Sequence, residues 1–183
     1  MGTVPVPRRA VDLLVSWVGA LLAVAMIGLG AAATYGGNFA LQSVRDRLEP
    51  QHIAFPPAEA MSDEEKDEVG EYAGAEVDTG REAEAFSRYI GLHLAEVNDG
   101  KTYSETSAEA RALEEGDPKK AEMDAKVQTL FRGETLRSIL LNAYAWWTVG
   151  QITFYAGIGM VVAGVLLAIL AVLGFRHARS VAS

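Results

Sequence analysis

The chain has 183 residues, half of them hydrophobic and 22% charged, with a formal net charge of −8 and no cysteine. Without cysteine, thiol catalysis, disulfide staples and thiolate metal sites are excluded. The acid excess falls in the middle of the chain and leaves that segment no basic face for phosphate, which argues against a nucleic-acid partner.

Residues 1–10 form a short basic tail holding Arg8 and Arg9, and 11–34 the first apolar block; no charge falls between Leu13 and Thr34. A helix rising about 1.5 Å per residue crosses a hydrocarbon core of roughly 30 Å in about 20 residues. This block is therefore expected to be a transmembrane helix. Its apolar run is longer than the roughly 7–15 residues of a signal-peptide core, so an uncleaved helix is expected, and a lone Arg8-Arg9 pair is too common to mark a twin-arginine signal.

"FALQSVRDRL" (39–48) is compatible with a continuation of that helix, with Gly36-Gly37 a candidate kink. Pro50 ends it, and Pro56-Pro57 make "PQHIAFPPAEA" an extended strap. Ser62 with Glu65, Thr79 with Glu82 and Thr102 with Glu105 are three capping-box patterns, each opening a helix. The second helix is the most amphipathic outside the apolar blocks, with Phe86, Tyr89, Ile90, His93, Leu94 and Val97 at helical spacing and Asn98-Asp99-Gly100 as its stop. Asp117-Pro118 is a start signal for the last helix. From there Met123, Val127, Leu130, Phe131, Leu136, Ile139, Leu140 and Ala143 keep one broad face, and no proline follows Pro118. A single long helix is expected, from about Lys119 through the second apolar block, 148–175, into a basic tail, 176–183.

The whole reads as an all-α membrane protein: a two-helix transmembrane hairpin whose segment 35–147 is an acidic helical extracytoplasmic domain, with the second transmembrane helix continuous with a long extracytoplasmic one. Orientation follows from charge. Arg8, Arg9, Arg176 and Arg179 flank the apolar blocks outside, while 12 basic and 23 acidic residues lie between them, about −11. Under the positive-inside rule both tails are cytoplasmic, in the plasma membrane. Tyr144, Trp146, Trp147 and Tyr155 are expected as anchors at the outer interface, where a ring can be apolar at one end and hydrogen-bonded at the other.

Candidate chemistry is sparse. His52, His93 and His177 are the only histidines, His177 lies across the membrane from the others, and no metal-binding spacing links them to carboxylates. His93 is expected as a satisfied core histidine and His52 as a strap residue bonded to backbone. No nucleophile elbow, Ser-x-x-Lys pair or phosphate loop occurs, so no catalytic residue, cofactor or metal is expected.

Small residues are more informative. Gly28 with Ala32, Gly159 with Ala163, and Gly164 with Ala168 form small-xxx-small pairs extended by Gly157, suited to close helix packing within the chain or against another subunit. Arg132, Glu134 and Arg137 approach the outer membrane surface and are expected to clamp onto the group around Arg45 and Arg47 leaving the first helix, with lipid phosphate or a partner as the alternatives.

"FPPA", "VDTG…AEAFSRYIGLHLAEV", "GKTYSE" and "QTLFRGETLRSILLNAYAWWTVG" resemble a family of small two-helix membrane proteins from high-GC actinobacteria over nearly the whole chain. Members often carry the label aromatic ring-opening dioxygenase. Such an iron site would need two His and a carboxylate converging, and the sequence signals no such set. The resemblance implies no established activity and carries over no functional residues. The expected function is a non-catalytic subunit of a larger envelope or respiratory membrane assembly, or a homo-oligomer, with lipids, other membrane subunits or itself as partners. The alternative is a membrane-anchored sensor whose outer domain binds a small ligand or peptide between the 86–97 and 123–131 helical segments.

Overall fold

The computed structural model describes residues 8–180, so the expected tails 1–10 and 176–183 lie partly outside the described residues. Among the described residues the protein is helical with no strand: α1 Arg8–Leu48, α2 Asp63–Val69, α3 Gly80–Val97, α4 Tyr103–Ala112 and α5 Lys120–Ser180. Helices α1 and α5 are each long and apolar enough to cross a membrane. The chain divides into two compact units, one of 1–39 with 149–183 and one of 40–148.

In the first unit α1 pairs with α5. Helix α1 continues through Gly36-Gly37 without a break. The buried positions of α1 here are Ser16, Ala23, Gly30 and Gly37, and those of α5 are Gly150, Gly157, Gly164, Ala171 and Ala178. Both sets recur every seventh residue, the repeat that keeps one seam facing a partner helix. Every seam residue is small, so the two backbones approach closely. Ser16 lies against Gly174 and Gly37 against Phe154, so the pair runs antiparallel.

The second unit has a conventional core. The last turns of α1 supply Val44 and Leu48, the strap supplies Phe55 and Met61, α2 supplies Val69, and Val77, Ala83, Ala85 and Leu140 complete the buried cluster. The strap is held by Phe55 N donating to Ala75 O (2.9 Å) and Val77 N to Ile53 O (2.8 Å), around an antiparallel bridge between Ala54 and Glu76. This gives the "GEYAGAEVD" stretch a partner for its backbone, without which its amides would be desolvated and unpaired. Rings pack on Phe55 from three sides: Tyr72 stacks at 5.5 Å between centroids, and Phe86 and Tyr89 approach edge-on at 5.0 and 6.2 Å.

All three capping boxes form, at Ser62, Thr79 and Thr102. Helix α5 begins at Lys120, three residues after its expected cap. Asp117 Oδ1 instead accepts from Lys119 N at 2.8 Å in a turn that precedes the helix. On the following stretch of α5, Leu130 and Leu140 are buried, whereas Phe131, Leu136 and Ile139 are more than half exposed. The broad face expected there is thus narrower than its apolar pattern. Leu130 is among the largest fully buried side chains. Its replacement by Ala should cost about 2–5 kcal/mol, read as a lowered denaturant midpoint in detergent with unchanged helicity.

Candidate functional site

Two regions could carry function: the α1–α5 seam and the face where α2 docks on α3.

At the seam, contact geometry sorts the small residues. A Cβ on Gly157 would meet Thr34 N and Oγ1 at 2.5 Å and Gly30 O at 2.7 Å. One on Gly30 would meet Gly157 O at 2.7 Å and Val161 N at 2.8 Å, and one on Gly164 would reach Ile27 Cγ1 at 2.8 Å and Ala23 O at 3.1 Å. These backbones touch because the side chains are missing. Gly28 and Gly159 differ, for a Cβ on either meets nothing within 4 Å. Ala32 and Ala163 are exposed and Ala168 is half-buried. Of the seven expected packing positions, Gly157 and Gly164 therefore sit in the intrachain seam, while Gly28 and Gly159 face open space among the described residues and Ala32 and Ala163 are exposed. Gly30 and Gly37, not among the expected positions, are central to the seam. Their signal is the seven-residue spacing of Ser16, Ala23, Gly30 and Gly37.

Large apolar side chains in this unit point away from the seam. Leu14, Leu21, Val24, Leu29, Ile152 and Leu170 are all more than half exposed. The hairpin is therefore small inside and bulky outside, the reverse of a water-soluble helix pair.

The aromatic anchors separate into two groups. Trp146 and Tyr155 are well exposed and Tyr144 partly so. Trp147 is instead half-buried against the core of the second unit, its Cβ and ring seated directly on Gly80, and its indole N–H is buried without a partner. Its ring therefore packs against that core, unlike those of Trp146 and Tyr155.

The expected clamp between α1 and the 132–137 stretch does not form either. Arg45 reaches Asp78 at 3.8 Å. Arg137 donates to Glu134 Oε1 at 2.9 Å and from Nε to Ser87 O at 3.1 Å, its guanidinium passing over Gly91. Arg47 and Arg132 are exposed. Two of the four clamp arginines, Arg45 and Arg137, thus reach Asp78 and α3 instead. Both lie far along the chain from these arginines, so local spacing could not identify them.

The α2–α3 face is charged. Arg88 donates to Glu68 through its carboxylate (2.8 Å) and its carbonyl (2.9 Å), and to Glu84 at 3.0 Å; these bonds, led by that to Glu68, raise its pKa. His93 is not a core residue. Its side chain is about half exposed, with Nε2 3.2 Å from Glu65 Oε1 and Nδ1 3.1 Å from Tyr89 O. Burial, with the nearby Glu65 charge, pushes the Tyr89 hydroxyl pKa up. His52 is exposed, and its backbone N–H donates to Glu49 O at 3.1 Å. Among the described residues no group of three or more His, Asp or Glu is placed to hold a metal ion. Where the alternative sensor reading would place a ligand pocket, between α3 and α5, Leu94 lies against Gly133: a Cβ there would meet its Cδ2 at 2.5 Å.

Glu65 closes the first capping box, accepting from Ser62 N at 2.6 Å, and that bond is the main reason its carboxyl sits below its ordinary value of 4.5. A depressed folded-state pKa contributes stability that is present above 4.5 and lost as pH falls through the lowered value. Amides of α2 should therefore lose hydrogen-exchange protection over that window in the native protein. In Glu65→Gln protection should be weaker at neutral pH and nearly flat across the same range.

Compared with models of protein families, with curated proteins and with solved structures, the chain matches none.

Proposed function

We propose that this chain is a non-catalytic integral membrane protein of the plasma membrane: a two-helix hairpin with both termini cytoplasmic and the acidic 40–148 unit on the outer side. It acts as an accessory or structural subunit of a larger envelope or respiratory assembly, or as a homo-oligomer. The observation that carries this reading is the inverted hairpin, in which glycine and alanine are inside and leucine, isoleucine and valine outside. In water such a surface would be one continuous apolar patch, and in lipid it costs nothing. Orientation rests on the four arginines flanking the apolar blocks and the excess acid between them. An assembly role is favoured by Gly28, Ala32, Gly159 and Ala163, small residues exposed on the outer surface of the hairpin.

Native mass spectrometry after extraction from membranes in mild detergent tests it. Reproducible co-purifying subunits, or a defined self-oligomer, are expected; monomer alone would sink the assembly role. Orientation is tested separately on a chain that lacks cysteine. A single Asp99→Cys should react with an impermeant maleimide on intact cells, and Ser180→Cys should not.

A further inference from the structure

A cavity of about 300 Å³ opens on the first unit, lined by Ile27 from α1 and by Val165, Ala168, Ile169, Val172 and Leu173 from α5. The five α5 residues lie on one helical face, spaced three and four apart, and Ala168 is the small residue among larger neighbours. The trough spans 165 to 173, about 12 Å along the helix axis at 1.5 Å per residue. Arg176 continues the same face, three residues beyond Leu173 and four beyond Val172. Because Ser16 packs against Gly174, the start of α1 meets the end of α5, and this end of the hairpin carries Arg8, Arg9, Arg176 and Arg179, all exposed. None of the four forms an ion pair among the described residues, and Asp12 is the one acidic residue at this end. Trp17, ring-packed on Phe175 at 5.4 Å, marks the same depth.

Building on the membrane reading, we propose that this apolar trough and the arginine cluster at its mouth form a binding site for one anionic phospholipid of the inner leaflet. One acyl chain lies along Ala168 and the phosphate meets Arg176 and its neighbours. Charge complementarity selects the occupant. The trough alone would accept any acyl chain, but its mouth presents guanidinium groups that form no ion pair among the described residues, and a guanidinium binds phosphate bidentately. The site also has the polarity that anionic inner-leaflet lipid favours in juxtamembrane basic clusters.

The test uses full-length protein extracted from membranes and equilibrated in mixed micelles holding equal amounts of phosphatidylglycerol and phosphatidylethanolamine with identical chains, with retained lipid read by native mass spectrometry. Wild type should retain phosphatidylglycerol several-fold over phosphatidylethanolamine. R176Q should lower that ratio about fivefold. A168F, which fills the trough but leaves every arginine, should lower the number of lipids retained, and A168V covers the case in which A168F fails to fold. Equal retention of the two lipids, indifference to both variants, or displacement of the lipid by millimolar inorganic phosphate would overturn the site. Recovery of the protein in the soluble fraction would instead remove the membrane reading itself; recovery in the membrane fraction without lipid preference removes only this site.

Discussion

Gly157→Leu should pull the α1–α5 hairpin apart. A Cβ at this position meets backbone and hydroxyl atoms of α1 at 2.5–2.7 Å, and a backbone cannot rotate away as a side chain can. Overpacking into side chains costs about 1–3 kcal/mol, and a clash with main chain falls at or above the top of that range. The readout is supplied by the lack of native cysteine. A Cβ on Gly19 would lie 3.6 Å from Ala171 Cβ, within the 3.5–4.5 Å separation that a disulfide requires. Gly19→Cys/Ala171→Cys should therefore oxidise nearly completely within one chain, and adding Gly157→Leu should abolish most of that cross-link. Gly28→Leu and Gly159→Leu, entering open space, should leave it intact. Equal cross-linking in all of these variants would refute the seam. A Gly28→Leu variant that cross-links normally but loses its co-purifying subunits would locate the intersubunit contact on that outer face.

The second large effect belongs to the 40–148 unit. Gly80→Ala puts a methyl group where Trp147 Cβ and Cγ now sit, at the first residue of α3. The indole must move or the helix start must, and about 3 kcal/mol of stability should be lost. Trp147→Ala alone should cost less than a fully buried tryptophan would, because it also removes a buried indole N–H that has no acceptor among the described residues, a group whose desolvation costs about 1–3 kcal/mol. The double variant should be more stable than the sum of the two losses predicts, but only in part: truncation removes Cγ and Cδ1, at 2.5 and 3.0 Å from the added methyl group, and leaves the Trp147 Cβ, its nearest neighbour, in place. Strict additivity in equilibrium unfolding would mean that the two residues do not share this space.

Local signals were readable wherever the deciding atoms lie within a few residues. The three capping boxes, the proline strap and the uninterrupted last helix all depend on neighbours in the chain, and the two apolar blocks needed only length and charge. Contacts that depend on distant chain were not readable. Trp146 and Trp147 look equivalent in sequence, yet they are adjacent on a helix and so point in different directions, and Gly80, far away in the chain, decides which one is buried. Arg45 could pair with any of several acids; the fold brings it to Asp78. His93 lies at an apolar spacing on α3, but α2 covers only part of that face and presents Glu65 to it. In the seam, a search for four-residue spacings finds Gly28 and Ala32, whereas close antiparallel packing follows a seven-residue repeat and selects Gly30 and Gly37.

That repeat also sets how the two long helices can vary. Every side-chain addition at Gly30, Gly37, Gly157 or Gly164 is an enlargement, since nothing smaller than glycine exists, so these sites have no neutral neighbours in sequence space and alanine is already a severe change. The bulky outer positions are the opposite: on the proposed membrane reading they face lipid, to which Leu, Ile, Val and Phe are interchangeable. Random mutagenesis of this protein should therefore yield a periodic map, with intolerant positions seven residues apart on both helices and permissive stretches between them. The phase of that map would reveal the seam from growth data alone, without any structural measurement.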